Sequence, residues 1–176
     1  CRWGFGLDNL VALFIGGSQN LVLGGTAKTI KALPDTFDPA KVMLAITEAG
    51  TDRLIPPGSL GGGAIAGALR FQNEDLVSAR NLLGQMATAI AGSVNQQQSL
   101  GLDLGQPAGA GAPIFSTGGA RVMSASTNTG TATISISLTD AAQVQASDYA
   151  LSFDGSNYTL TRLSDQSAAA GSPYTP

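Results

Sequence analysis

Residues 73–101 read NEDLVSARNLLGQMATAIAGSVNQQQSLG, and this stretch decides the fold. Its apolar side chains recur at intervals of three and four residues, which is the period of one face of an α-helix. Asn73 can cap the helix start through its side-chain oxygen, and Glu74 and Asp75 place negative charge where the helix dipole favours it. Gly101 marks the end. The apolar stripe consists of Leu76, Ala79, Leu83, Met86, Ile90 and Val94.

The apolar stripe has the spacing of a coiled-coil or helix-bundle seam. It extends over about three heptads, and a stripe of this length is more often an ordinary core face than a dedicated partner surface. We therefore expect its side chains to be buried. Leu83→Asp is then expected to destabilise the fold strongly, because an unpaired charge would enter the core.

The helical pattern begins at about Ala64, and we expect it to break near Asn73 into a short helix and a longer one. Upstream, short apolar runs flank turn residues, which is the pattern of β-hairpins. Pro56-Pro57-Gly58 ends this region because proline cannot donate to a sheet. The paired runs are 10–15 with 20–23 and 42–47 with 52–55, and residues 28–33 are expected to extend the sheet weakly.

The pattern changes to period two after residue 120. Residues 131–138 alternate Thr or Ser with Ala, Ile or Leu, which predicts a half-buried strand. Residues 149–153 and 158–162 flank Asp154-Gly155-Ser156-Asn157, which predicts a hairpin.

The predicted fold class is α+β. Short β-hairpins and long helices form an inner mixed domain at residues 10–105, and a Gly/Pro-rich linker follows at 106–119. A partial antiparallel β-domain, which is the β-rich outer domain and is truncated, occupies residues 120–176.

Composition excludes several functional classes. The net charge is −3 with 12% charged residues, and the nine Lys and Arg are scattered, so the basic patch that binds nucleic acid is missing. The longest apolar run, residues 10–15, is far shorter than the roughly 20 residues that cross a bilayer. One cysteine cannot form an internal disulfide.

The chain contains no histidine, which removes Ser-His-Asp and Cys-His catalysis and the common zinc sites. No Ser-x-x-Lys spacing occurs either. Residues 61–66 satisfy the dinucleotide fingerprint G-x-G-x-x-A, but the preceding Pro56-Pro57-Gly58 cannot be the buried strand that this motif requires. Asp154-Gly155-Ser156-Asn157 fits a turn better than a calcium loop. We expect no catalytic, cofactor-binding or metal-binding residues and no enzyme activity.

Three segments resemble flagellar hook-associated proteins of the FlgK type in order and spacing. They are GGGAIAGALRFQN at 61–73, ARNLLGQMA at 79–87 and VNQQQ at 94–98. The likeness continues through residues 101–105 and 114–115 and upstream through 14–25, so it covers roughly residues 14–162. Residues 1–9 fit it poorly.

The resemblance implies a structural subunit of the bacterial flagellum at the hook-filament junction, which acts by self-assembly and packing. Its partners would be other copies of itself, the neighbouring axial proteins on the hook and filament sides, and the export machinery or a chaperone in the full-length protein. The location would be extracellular, after export through the flagellar secretion channel, with no cofactor. The family carries long helical segments at both chain ends, so we expect this chain to be an internal fragment.

Two other functions stay open. In one, the Thr- and Ser-rich β-unit at residues 121–162 is a secreted adhesin-like binding module with exposed Tyr158 among its contacts. Adhesins more often show repeated β-units, and no internal repeat is visible. In the other, the chain belongs to an enzyme whose active site lies outside these residues, and the flanking sequence would then carry His or paired carboxylates.

Overall fold

A computed structural model of the chain describes residues 2–5, 11–16 and 19–175. It contains one long helix and antiparallel sheets, so the predicted α+β class is confirmed. The residues form two compact units, one of residues 1–75 with 123–132 and one of residues 76–122 with 133–176. This grouping rests on spatial proximity, and the domain boundaries expected at residues 105 and 120 stay a prediction.

The first sheet has four antiparallel strands in the order β1-β2-β3-β4. The hairpin of β2 and β3 confirms the pairing of the first two apolar runs, although Leu10 and the turn residues 17–18 lie outside the described residues. Strand β1 lies within residues 1–9, which fit the family pattern poorly, and it pairs with β2. The strands are β1 Arg2–Phe5, β2 Val11–Ile15, β3 Gln19–Leu23 and β4 Thr26–Ala27.

The second sheet has three antiparallel strands in the order β5-β6-β7. They are β5 Thr29–Pro34, β6 Val42–Glu48 and β7 Thr51–Ile55, which confirms the second hairpin. We expected residues 28–33 to extend the first sheet. This is wrong for residues 29–33, which lie in β5 of the second sheet, whereas the Lys28 N–H donates to the Leu21 carbonyl of β3 at 2.8 Å. The cause is the register: Ile30 lies opposite Ile46 and Leu33 opposite Met43, so apolar side chains meet across the pair. Ile46 is fully buried.

Polar side chains join the two sheets within this unit. The Lys28 ammonium donates to the Asn20 amide oxygen at 2.7 Å and also to the Glu48 carboxylate. Arg53 donates to the Gln19 side chain. The hydrogen bond and charge of Lys28 lower the pKa of Glu48 below its ordinary value.

A helical region follows the sheets. A 3-10 turn at Pro57–Leu60 leads into helix α1 at Ala64–Arg70, a π turn at Phe71–Asp75 and helix α2 at Leu76–Ser99. The predicted break is confirmed and takes the form of the π turn. The predicted cap at Asn73 is wrong, because Asn73 lies inside the π turn and the chain is helical on both sides of it.

The second unit contains α2 and a small sheet. A 3-10 turn at Ala141–Gln143 is capped by the Asp140 carboxylate, which accepts from the Ala142 N–H at 2.8 Å. Strands β8 (Tyr149–Phe153) and β9 (Tyr158–Arg162) pair in antiparallel fashion, which confirms the last hairpin.

The predicted strand at residues 131–138 is wrong. These residues have no regular structure, and Ile134, Ile136 and Leu138 are exposed. The alternating pattern is suited to a sheet face, but in the described part of the chain no strand lies beside it to complete a hydrogen-bond ladder.

Candidate assembly surface

Helix α2 has two faces with different chemistry. One is the polar face, formed by Asn81, Gln85, Gly92 and Asn95, whose spacing of four, seven and three residues places them on one side. The Gln85 amide donates to the Val144 carbonyl at 2.7 Å, and the Asn81 amide donates to the Asp148 carboxylate at 3.1 Å. The polar face therefore carries the packing of α2 within its unit.

Asn95 makes the largest set of side-chain hydrogen bonds on this face. Its Oδ1 accepts from the backbone N–H groups of Ile114 and Phe115, both at 2.9 Å, and its Nδ2 donates to the Phe115 carbonyl at 2.8 Å. The side-chain amide pairs with backbone as another peptide group would. It fastens the Gly/Pro-rich segment to the end of the helix.

Gly92 sits where another part of the chain comes closest to the helix. A methyl group at this position would overlap the Ala141 side chain in the 3-10 turn. Gly84, about 80° around the helix axis from Gly92, has open space around it. The small residue at position 92 is thus required by close packing, as at many tight helix contacts.

The apolar stripe defined above lies on the opposite side of α2. Leu83 is 68% exposed, Met86 60% and Ile90 59%, whereas Leu76 and Val94 are half-buried. The expectation that the stripe forms the buried core is therefore wrong for this chain. The physical reason is that residues 114–115 and 141–148 contact the polar face. Periodicity shows which face favours burial without showing what covers it.

The surface around the stripe is neutral. Arg80 is the only charged residue between Leu76 and Leu102. Leu82 beside the stripe and Leu100 and Leu102 beyond it are also exposed. Full burial of one such side chain stabilises a protein by about 1.5–3 kcal/mol, so a partner that covers three of them gains several times that amount. An exposed apolar surface of this kind is typical of an interaction site.

Beyond α2 the chain forms a tight loop around Asp103. The Asp103 carboxylate accepts from the N–H of Gly109 at 2.8 Å and of Gly105 at 2.9 Å, and these bonds lower its pKa. Leu102 and Ala110 pair across the loop. The loop follows directly after the end of α2 at Ser99.

The structure also locates the motifs considered for other functions. The glycines at 61–63 follow a 3-10 turn and all have positive φ, so they serve the turn into α1. Tyr158 is half-buried, and its ring lies against that of Phe153 with 4.6 Å between the ring centroids. The expectation that Tyr158 is exposed as an adhesin contact is therefore wrong.

The expectation of no catalytic, cofactor-binding or metal-binding residues stays a prediction. Within residues 2–5, 11–16 and 19–175, no group of three Cys, Asp or Glu is placed to hold a metal ion. Over the same ranges, no helix combines the length and hydropathy needed to cross a bilayer.

Comparison with known proteins identifies two family models along the chain. The model described as "Flagellar hook-associated protein FlgK helical domain" matches residues 6–115, more than half of the chain. The model described as "Flagellar hook-associated protein 1, D2-like domain" matches residues 123–175.

Curated proteins named flagellar hook-associated protein 1 are similar to this chain. Flagellar hook-associated protein 1 of Escherichia coli K12 is 34% identical over 160 residues, which are 90% of this chain and 29% of that protein. The Salmonella typhimurium protein of that name is 36% identical over 155 residues, 87% of this chain and 28% of its own length. The structure of the flagellar hook junction protein FlgK from Burkholderia pseudomallei superimposes with a TM-score of 0.82 at 33% identity, over 99% of this chain and 32% of that one.

Proposed function

This chain belongs to the flagellar hook-associated protein FlgK family, and on that basis we propose that it is part of a structural subunit at the junction between the hook and the filament of a bacterial flagellum. The chain spans less than a third of the relatives it matches, so the activity of the whole protein is inferred from them. The observation that carries the proposal is the exposed, uncharged apolar stripe of α2.

The stripe supports assembly by packing. A helix that holds its own unit together through amides and a glycine has its apolar side free for other helices. Repeated spacing of three and four residues suits a facing helix with the same period. We expect Leu83, Met86 and Ile90 to be covered in the assembled junction, where their burial stabilises the contact.

The partners and location follow from the family. The subunit would contact other copies of itself and the adjacent axial proteins on the hook and filament sides, and would reach them by export through the flagellar channel. It would lie outside the cell, and it would act without catalysis. The exposed stripe supports such contacts because it offers neither a charged group nor a titratable one.

Deletion of the gene in its host tests the proposal. Electron microscopy is expected to show hooks without filaments, together with filament protein free in the medium, and a plasmid copy is expected to restore both filaments and swimming. Retention of filaments on the hooks of the deletion strain would contradict the proposal. If that strain kept its filaments and lost attachment to surfaces, the adhesin-like function would be favoured over the structural one.

A further inference from the structure

The small sheet of the second unit has an open edge at strand β8. Strand β8 pairs with β9 on one side, and residues 167–174 run along the other side of β9. Tyr158 and Tyr174, for example, exchange backbone hydrogen bonds at 2.8 and 2.7 Å. Among the described residues, no strand lies on the far side of β8. The alternating segment at 133–138 does not pair there either.

The register of the hairpin shows which backbone groups lie at this edge. The Leu163 N–H donates to the Asp148 carbonyl at 2.9 Å, just before β8 begins. Hydrogen-bonded and non-hydrogen-bonded positions alternate in an antiparallel pair, so the even-numbered residues of β8 bond to β9. The N–H and C=O groups of Tyr149, Leu151 and Phe153 therefore point away from β9. In the described part of the chain they have no backbone partner.

The side chains of the same three residues form an exposed apolar face. Tyr149, Leu151 and Phe153 lie on one side of the sheet because side chains alternate along a strand, and all three are exposed. Ala150 and Ser152 lie on the other side. An antiparallel sheet commonly packs one face on a core, and a two-stranded hairpin alone is marginally stable. The open edge and the exposed face thus both favour the addition of a strand.

We propose that β8 accepts a further strand from the same full-length protein, from chain outside residues 1–176. The backbone of the added strand bonds to Tyr149, Leu151 and Phe153, and apolar side chains at its alternate positions extend the exposed face. Strand β8 contains no charged residue and no proline, which are two features that commonly protect an open edge from pairing. Its sequence is therefore suited to an inner strand.

The sizes of the strand and of the relatives favour the same chain over a second copy as the source. The matched residues are 28%, 29% and 32% of three relatives, so more than twice as much chain lies outside them. The five residues of β8 extend over about 17 Å. Two copies joined at this edge alone would bury much less than the roughly 1,200 Å² of a stable interface. A strand of the same chain needs no such area, because its pairing is intramolecular.

Backbone hydrogen exchange of the full-length protein, at a concentration where it is monomeric, tests the proposal. The amides of Leu151 and Phe153 are expected to exchange within about tenfold of the rates of Ala150 and Ser152, because strands paired on both sides exchange only after they separate. Fast exchange of Leu151 and Phe153 beside slow exchange of Ala150 and Ser152 would overturn the proposal. Protection of Leu151 and Phe153 only where the protein dimerises would also overturn it, in favour of a second copy.

Leu151→Pro in the full-length protein locates the contact at this edge. Proline removes the outward N–H, which an open edge tolerates and a paired edge does not. The amides of Tyr149 and Phe153 are expected to lose protection in Leu151→Pro and to keep it in Leu151→Ala, the matched control that retains the N–H. The amides of α2 are expected to stay protected in both variants. Equal rates for Tyr149 and Phe153 in the two variants would contradict the pairing, whatever the outcome for filament attachment.

Discussion

The two faces of helix α2 differ in the opposite sense to simple expectation. The polar face, with its amides and one glycine, is packed against the chain, while the apolar stripe is exposed. Three amide side chains of the polar face form hydrogen bonds to groups elsewhere in the unit. Gly92 leaves room for the Ala141 side chain. The contacts that shape the unit therefore lie on one side of α2, and the surface that we propose for assembly lies on the other side.

A methyl group at the closest contact gives the largest effect on the isolated chain. Gly92→Ala is expected to destabilise it by about 1–3 kcal/mol in urea unfolding, because the new Cβ overlaps Ala141 and the 3-10 turn must move. Gly84→Ala on open helix surface is the matched control and is expected to stabilise by about 1 kcal/mol through helix propensity. Equal effects of the two changes would show that the contact with Ala141 does not restrict the residue at position 92.

Removal of the Asn95 amide, which holds the Gly/Pro-rich segment, is expected to have the second largest effect on the stability of the isolated chain. Asn95→Ala loses three hydrogen bonds to Ile114 and Phe115, and part of that loss is recovered from water. We expect about 1–2 kcal/mol lower stability in urea unfolding, with faster proteolysis near residue 114. Gln97→Ala serves as the control. If proteolysis near residue 114 stayed at the parental rate, Asn95 would not be what fastens this segment.

A charge on the apolar stripe is expected to change the stability of the isolated chain little. Leu83 is 68% exposed, so Leu83→Asp is expected to shift the free energy of unfolding by about 0.5 kcal/mol or less, as surface substitutions do. A buried stripe would give several kcal/mol instead. A thermal melt of the parent and the variant decides between these values, and a large drop in Tm would show that the stripe is core.

Acid is expected to have the smallest and most local effect. Hydrogen bonds from Gly109 and Gly105 lower the pKa of Asp103 in the folded chain, so its contribution to stability is complete above the ordinary pKa of about 4. It is lost as the pH falls through the lower folded value. The amide resonances of Gly105 and Gly109 are expected to shift in that range and those of the apolar stripe to stay. In Asp103→Asn the shift should be absent, and its persistence would assign it to another group.

Much of this arrangement could be read from the sequence. Hydrophobic period and turn chemistry located α2, the hairpin of β6 and β7 and the hairpin of β8 and β9. The segments at 61–73, 79–87 and 94–98 identified the family. Local pattern determines these features, because each depends on residues close together in the chain.

The remaining features depend on partners distant in the chain. Nothing near Asn95 in the sequence shows that it binds Ile114 and Phe115, since an isolated Asn on a helix has no preferred partner. The alternation at residues 131–138 predicted a strand that lacks a neighbour. The spacing of the stripe gave its geometry correctly and its burial incorrectly, because covering it requires a partner outside α2.

Filament attachment in cells that carry Leu83→Asp in the chromosomal gene tests the central claim most directly. The control strain carries Ser78→Asp, which adds the same charge to exposed helix surface outside the stripe. With equal amounts of each protein, electron microscopy is expected to show hooks without filaments for Leu83→Asp and normal filaments for Ser78→Asp. Normal filaments in both strains would contradict the assignment of the apolar stripe to assembly.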